Sequence, residues 1–137
     1  MNPRYCLLAA CMMHMEGYYS IESRAFRNKN PGNIENPPQA QATEGTFIVF
    51  PTALRGYCAL VNDIAANAGK QLHVFIAKYA PPNENNTSEY LEVVCSLSGM
   101  TQDEYCELPA PRSRSRLHDC GPVPCRVISA GRDGAEW

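Results

Sequence analysis

Four stretches of this chain repeat apolar side chains at helical spacing, and each is stopped by a glycine or a pair of prolines. Short, punctuated helices of this kind direct a chain towards helical packing and leave little of it for sheet. Residues 4–16 form the first, with Tyr5, Leu8, Ala9, Met12 and Glu16 on one face and Gly17 as its terminator. Thr52 caps the clearest one, in which Leu54, Tyr57, Cys58, Val61, Ile64, Ala65 and Ala68 hold the period until Gly69. A shorter one runs from Leu72 to Tyr79 and ends at Pro81-Pro82. The fourth begins near Thr87, where Asn86 and Glu89 stand at capping-box spacing, and stops at Gly99. Thr101 and Glu104 repeat that spacing and predict one more helix, carrying Tyr105 and Leu108.

Between the first two helices the signals change. Asn28-Lys29-Asn30-Pro31-Gly32-Asn33 is a turn, with Pro31 and Gly32 suited to the central positions of a type II turn. Thr46-Phe47-Ile48-Val49-Phe50 is the one strongly β-branched and aromatic run, predicted to pair with the Asn33–Glu35 neighbourhood across the Pro37-Pro38 loop. The predicted fold class is α+β, mostly α, with several short helices and a small β-hairpin.

The 137 residues make one domain's worth of chain with room for a tail, and the net charge of −2 offers no basic field for nucleic acid. No segment reaches the roughly 18 apolar residues that a membrane span needs, so no membrane insertion is expected. Arg4 and the apolar residues after it resemble a short secretion signal. Only six residues separate Arg4 from Cys11, a very short apolar region for an export signal, and synthesis in the cytoplasm is expected. Seven cysteines without a repeated C-x-x-C spacing predict a reducing compartment rather than a disulfide framework.

After Leu108 the composition shifts. Residues 1–108 hold four Arg and three Lys, whereas residues 109–137 hold five Arg and no Lys, with four Pro and three Gly. Residues 1–108 are read as the domain. The tail has three readings: a disordered extension, out-of-frame sequence, or part of a zinc site made by Cys106, His118, Cys120 and Cys125.

Glu16 is the leading candidate for chemistry. It shares its helix face with Leu8 and Met12, and an apolar wall disfavours the ionised carboxyl and raises its pKa. That is the condition for a general acid at neutral pH. The competing reading is a helix-terminal glutamate that reaches solvent. Glu22, Glu35 and Glu44 lie in the loop-and-hairpin region opposite, and Glu22 and Glu35 are carried as candidates for a second carboxylate. Asn30, Asn33, Asn85 and Thr87 offer amide and hydroxyl groups for the hydroxyl and amide groups of a polar ligand, although Asn33 and Thr87 are at least as well suited to a turn and a cap. Arg24 and Arg27 are candidates for carboxylate contacts or for a solvated loop. No phosphate loop or metal-ligand cluster is evident, so no cofactor is expected.

Several of these segments occur in an order that resembles a known group. Met15-Glu16-Gly17, Ser23-Arg24 and Arg27-Asn28-Lys29-Asn30-Pro31-Gly32-Asn33-Ile34 are similar to stretches of phage virion-associated muralytic proteins. The likeness continues through Gly45-Thr46-Phe47, Phe50-Pro51-Thr52 and Tyr79-Ala80-Pro81-Pro82-Asn83, then Tyr90 and Val94, and covers about residues 4–108. The order also resembles the wider glucosaminidase and lytic transglycosylase group. The resemblance implies a lysozyme-like fold that cuts peptidoglycan glycan strands, with Glu16 protonating the glycosidic oxygen. It implies Tyr79 as the tyrosine across the cleft, Tyr90 among the substrate-binding residues, and other virion proteins as possible partners. A virion structural or wall-binding protein that keeps the fold without turnover is the alternative.

Overall fold

The computed structural model describes residues 2–35 and 42–107. The Pro37-Pro38 loop, Leu108, the 109–137 tail and three of the four zinc-site candidates lie outside them.

Helix α1 spans Pro3–Met15, with the Asn2 side chain accepting from the Arg4 amide at its start. Gly17 ends it at φ 74°, and the Gly17 and Tyr18 amides donate to the carbonyls of His14 and Met13. These two bonds close a Schellman motif, which needs a left-handed residue and therefore favours glycine there. It leaves Glu16 as the last αR residue before the chain reverses.

Helix α2 is a single turn, Arg24–Arg27, capped by Ser23. The strands β1 (Thr43–Glu44) and β2 (Phe47–Ile48) make a two-stranded antiparallel hairpin. As the Thr46–Phe50 run predicted, β2 also meets the earlier segment: Phe47 bridges Glu35, and the Ile48 amide donates to the Ile34 carbonyl. Helices α3 (Ala53–Ala66), α4 (Leu72–Tyr79) and α5 (Thr87–Ser98) complete the regular elements. Thr52 caps α3 through the Arg55 amide, and Asn86 with Glu89 forms the cap of α5.

Two local expectations fail. Asn30-Pro31-Gly32-Asn33 does form a turn, with the Asn33 amide on the Asn30 carbonyl, but Gly32 lacks the positive φ of a type II turn. The left-handed residue is Asn33 instead, at φ 45°. Gly32 is needed for closeness: a Cβ there would stand 2.6 Å from the Tyr79 hydroxyl and 2.9 Å from Leu60 Cδ1. Gly56 serves the same end on α3, since a Cβ would collide with the Lys29 carbonyl. The two glycines let the turn lie directly on α3 and α4.

The helix predicted after Thr101 is the second failure over the described residues. Glu104 does bond back to the Thr101 amide, but the chain then runs extended and Tyr105 bridges Gln71. The carbonyls of Glu104 and Gln102 accept from the amides of Leu72 and His73. The first turn of α4, which has no side-chain cap, is thereby satisfied by a strap of backbone.

Helix α1 packs against α3 and α5, and α5 also against α4. Leu8 and Met12, Leu60 and Ile64, Leu72, Phe75 and Ile76, and Val94 fill the shared core, with Cys106 of the strap fully buried beside them. The observed class is α+β, mostly helical. Cys11, Cys95 and Cys106 are free thiols. Among the described residues no helix is long and apolar enough to cross a membrane.

Candidate active site

The Schellman reversal carries the Glu16 side chain out of α1 and onto a groove of about 740 Å³. Two donors hold its carboxylate from opposite sides. The Tyr90 hydroxyl of α5 donates to Oε1 at 2.9 Å, and the Asn33 amide donates to Oε2 at 2.9 Å. The same Asn33 amide nitrogen reaches the Glu16 carbonyl at 3.3 Å. Burial pushes the Glu16 carboxyl above its ordinary value, while Asn33, Tyr90 and Arg24 pull it down and Glu35 adds to the rise. Burial wins, so the acid keeps its proton to higher pH than a free glutamate.

Tyr79 lines the groove, and its hydroxyl donates to the Gly32 carbonyl. Its ring lies 5.7 Å from Phe75 and 6.5 Å from Tyr90, centroid to centroid. Burial, then the Glu16 charge, raises the phenols of both Tyr79 and Tyr90, and neither gives up its proton at physiological pH. Both therefore act as neutral hydrogen-bonding groups.

The remaining sequence candidates separate. Glu35 and Asn85 line the groove with Glu16, and both are exposed. Glu22 is exposed on the loop before α2, outside the groove lining, and its backbone carbonyl accepts from Arg27. Asn30 is fully buried and spent on structure, its amide nitrogen donating to the carbonyls of Ile34 and Ile48 and its oxygen accepting from the Ile34 amide. A substrate cannot reach it. Thr87 ties α5 to the end of α4 through the Ala80 carbonyl. Tyr90, buried behind Glu16, positions the acid instead of meeting a ligand. Arg27 pairs with Glu44 at 2.8 Å, which holds that carboxyl low, whereas Arg24 lies 3.4 Å above the Phe47 ring on the groove wall.

No known family model, curated protein or solved structure matches this chain.

Asp63 of α3, Asn67 at its C-cap and Lys78 of α4 also line the groove and were not singled out from the sequence. Burial raises the Asp63 carboxyl, against the pull of Lys78 and Lys70. A signal for them exists. Gly56, Ala59, Asp63 and Asn67 fall at i, i+3, i+7 and i+11, a small-and-polar face beside the apolar one of Cys58, Leu60, Val61 and Ile64. Among the described residues no group of three or more His, Cys, Asp or Glu is arranged to hold a metal ion.

The arrangement favours proton donation. It presents a carboxyl held by two donors, raised by burial, on a groove wide enough for an extended polar ligand. The walls supply further carboxyls in Glu35 and Asp63, and an aromatic face in Tyr79.

Proposed function

We propose that this protein cleaves glycosidic bonds in the glycan strands of bacterial peptidoglycan, with Glu16 as the general acid. The observation that carries the reading is the burial-raised Glu16 carboxyl, fixed by Tyr90 and Asn33 at the wall of a groove. A lysozyme-like fold and an origin in a phage virion, as the sequence resemblance implies, belong to the same proposal. So does action on the wall as part of the virion or after release.

In this mechanism a protonated Glu16 donates to the glycosidic oxygen as the bond breaks and positive charge grows on the sugar ring. Tyr90 and Asn33 act as positioning residues. Each hydrogen-bonds the carboxylate left behind, so the leaving proton is compensated without reorganisation. Tyr79, with its hydroxyl bonded to Gly32, offers an aromatic wall and an oxygen that can still accept from a sugar hydroxyl. Of the carboxyls on the groove, Glu35 and Asp63 are placed to stabilise the developing charge or to activate a water. Glu22 is not.

Mass analysis of soluble fragments released from purified cell walls tests the reading. Wild type should release muropeptides, and Glu16→Gln should release them at a rate lower by a factor of about 10² to 10⁴. Wild type that releases nothing would leave a wall-binding or structural virion protein. Equal release by both would take Glu16 out of the mechanism.

A further inference from the structure

Away from Glu16, the groove wall is built around a buried amide. Asn67 ends α3 with 3% of its surface exposed, and its amide nitrogen is committed to the Asp63 carbonyl at 2.7 Å. Its oxygen accepts from two ammonium groups, Lys70 at 2.7 Å and Lys78 at 3.3 Å. Two cations thus converge on one neutral oxygen. Among the described residues no ion pair reaches either lysine. Repulsion between like charges so close together calls for an anion nearby.

We infer that Lys78 and Lys70, arranged on Asn67, form a subsite for a carboxylate carried by the ligand of the groove. The Lys78 side chain lines the groove itself, with Lys70 beside it on the same amide oxygen. Asp63 pulls electrostatically on both lysines, but it is one carboxyl beside two ammonium groups, and among the described residues it makes no ion pair with either. Desolvation first, then Lys78, lowers the Lys70 ammonium, against the pull of Asp63.

The rest of the groove narrows where an anion can go. Elsewhere the lining includes Glu16, Glu35 and Glu84, so a ligand carboxylate there would face acidic groups in place of ammonium groups. Arg24 is the other cation on the wall, and its guanidinium is already engaged over the Phe47 ring. A ligand with an acidic substituent is therefore held in one orientation relative to Glu16. Under the glycan-cleaving reading, on which the ligand's identity rests, the subsite takes the carboxylate of an amino sugar bearing an acidic side arm. It separates peptidoglycan strands from neutral amino-sugar polymers. The carboxylate has two sources: the free lactyl group of a sugar that carries no peptide, or the peptide's own carboxylates where the lactyl group is joined to it as an amide.

Nitrogen-15 NMR of the full chain, titrated with free sugars, tests this without turnover. N-acetylmuramic acid should shift the Asn67 side-chain amide and the Lys78 ammonium, and N-acetylglucosamine, which lacks the carboxylate, should not. Lys78→Gln should weaken N-acetylmuramic acid binding about tenfold or more, and Lys78→Arg should largely restore it. A muramyl peptide, in which the lactyl carboxyl is consumed by the amide bond to the peptide, reports the source: binding equal to that of N-acetylmuramic acid assigns the peptide carboxylate, and weaker binding assigns the lactyl group. Asn67 unmoved by N-acetylmuramic acid, equal shifts from both sugars, or unchanged binding by Lys78→Gln would each overturn the subsite. Failure of the glycan-cleaving reading is seen separately, as walls left intact by a wild type whose Asn67 still responds to N-acetylmuramic acid.

Discussion

Glu16 is subject to opposing forces, and its neighbours set their balance. The Tyr90 hydroxyl and the Asn33 amide both donate to it, which favours the ionised form, while burial favours the proton. Tyr90→Phe removes one donor and should move the Glu16 midpoint further up, carrying the alkaline limb of the muropeptide-release pH profile with it. The same change should cost about 1 kcal/mol of stability. Glu16→Gln tests the burial side. A carboxyl raised in the folded state stabilises the fold fully below its unfolded pKa, and that contribution is lost as pH rises through the folded value. The Gln variant cannot ionise, so it should melt higher than wild type at about pH 8, with the difference shrinking towards about pH 4. Its new amide can donate to Asn33 Oδ1, which is buried without a partner, if the Asn33 amide turns over. A Gln variant that melts lower than wild type at the higher pH would contradict the desolvation account. The position of Glu16 was legible because Leu8 and Met12 share its helix face. Its partners were not. Asn33 and Tyr90 lie 17 and 74 residues away in sequence, and neither type of residue signals by itself what it bonds.

At the scale of elements, local rules worked where tertiary contacts agreed with them. Asn2, Thr52 and Asn86 cap α1, α3 and α5, and Gly17 and Gly99 end α1 and α5 at positive φ, as side-chain chemistry alone predicts. They failed where a neighbour had a stronger claim on the backbone. The Thr101–Glu104 capping box forms, yet the chain beyond it is drawn out because the uncapped amides of Leu72 and His73 need its carbonyls. Hydrogen exchange checks this strap: Leu72 and His73 should be protected to the level of core amides such as Ile76. Exchange at the rate of a frayed helix start would show the strap absent in solution. The groove face of α3 was missed for a related reason. Its glycine, alanine, aspartate and asparagine carry no apolar period, and they are meaningful only once the Asn30–Asn33 turn is seen to rest on Gly56.

In the whole molecule one core supports both walls of the groove. Residues of α1, α3, α4 and α5 and the strap meet in it, so Glu16 and the lysine subsite stand on a common base. Ile64, fully buried from α3, is a measure of that unity. Ile64→Ala should cost about 2–5 kcal/mol, and urea transitions followed by far-UV circular dichroism and by tyrosine fluorescence should shift together. Transitions that separate would mean two independently stable parts. The helical class and the small hairpin could be read from periodicity, but the groove could not, since it arises where elements far apart in sequence come together. The account depends most on the condition of a single carboxyl. Carbon-13 NMR of labelled glutamate, with the Glu16 signal assigned by its loss in Glu16→Gln, measures that condition directly. The account predicts a Glu16 midpoint above the ordinary glutamate value of about 4.3. A midpoint at or below that value would describe a solvated, fully ionised side chain and would contradict it.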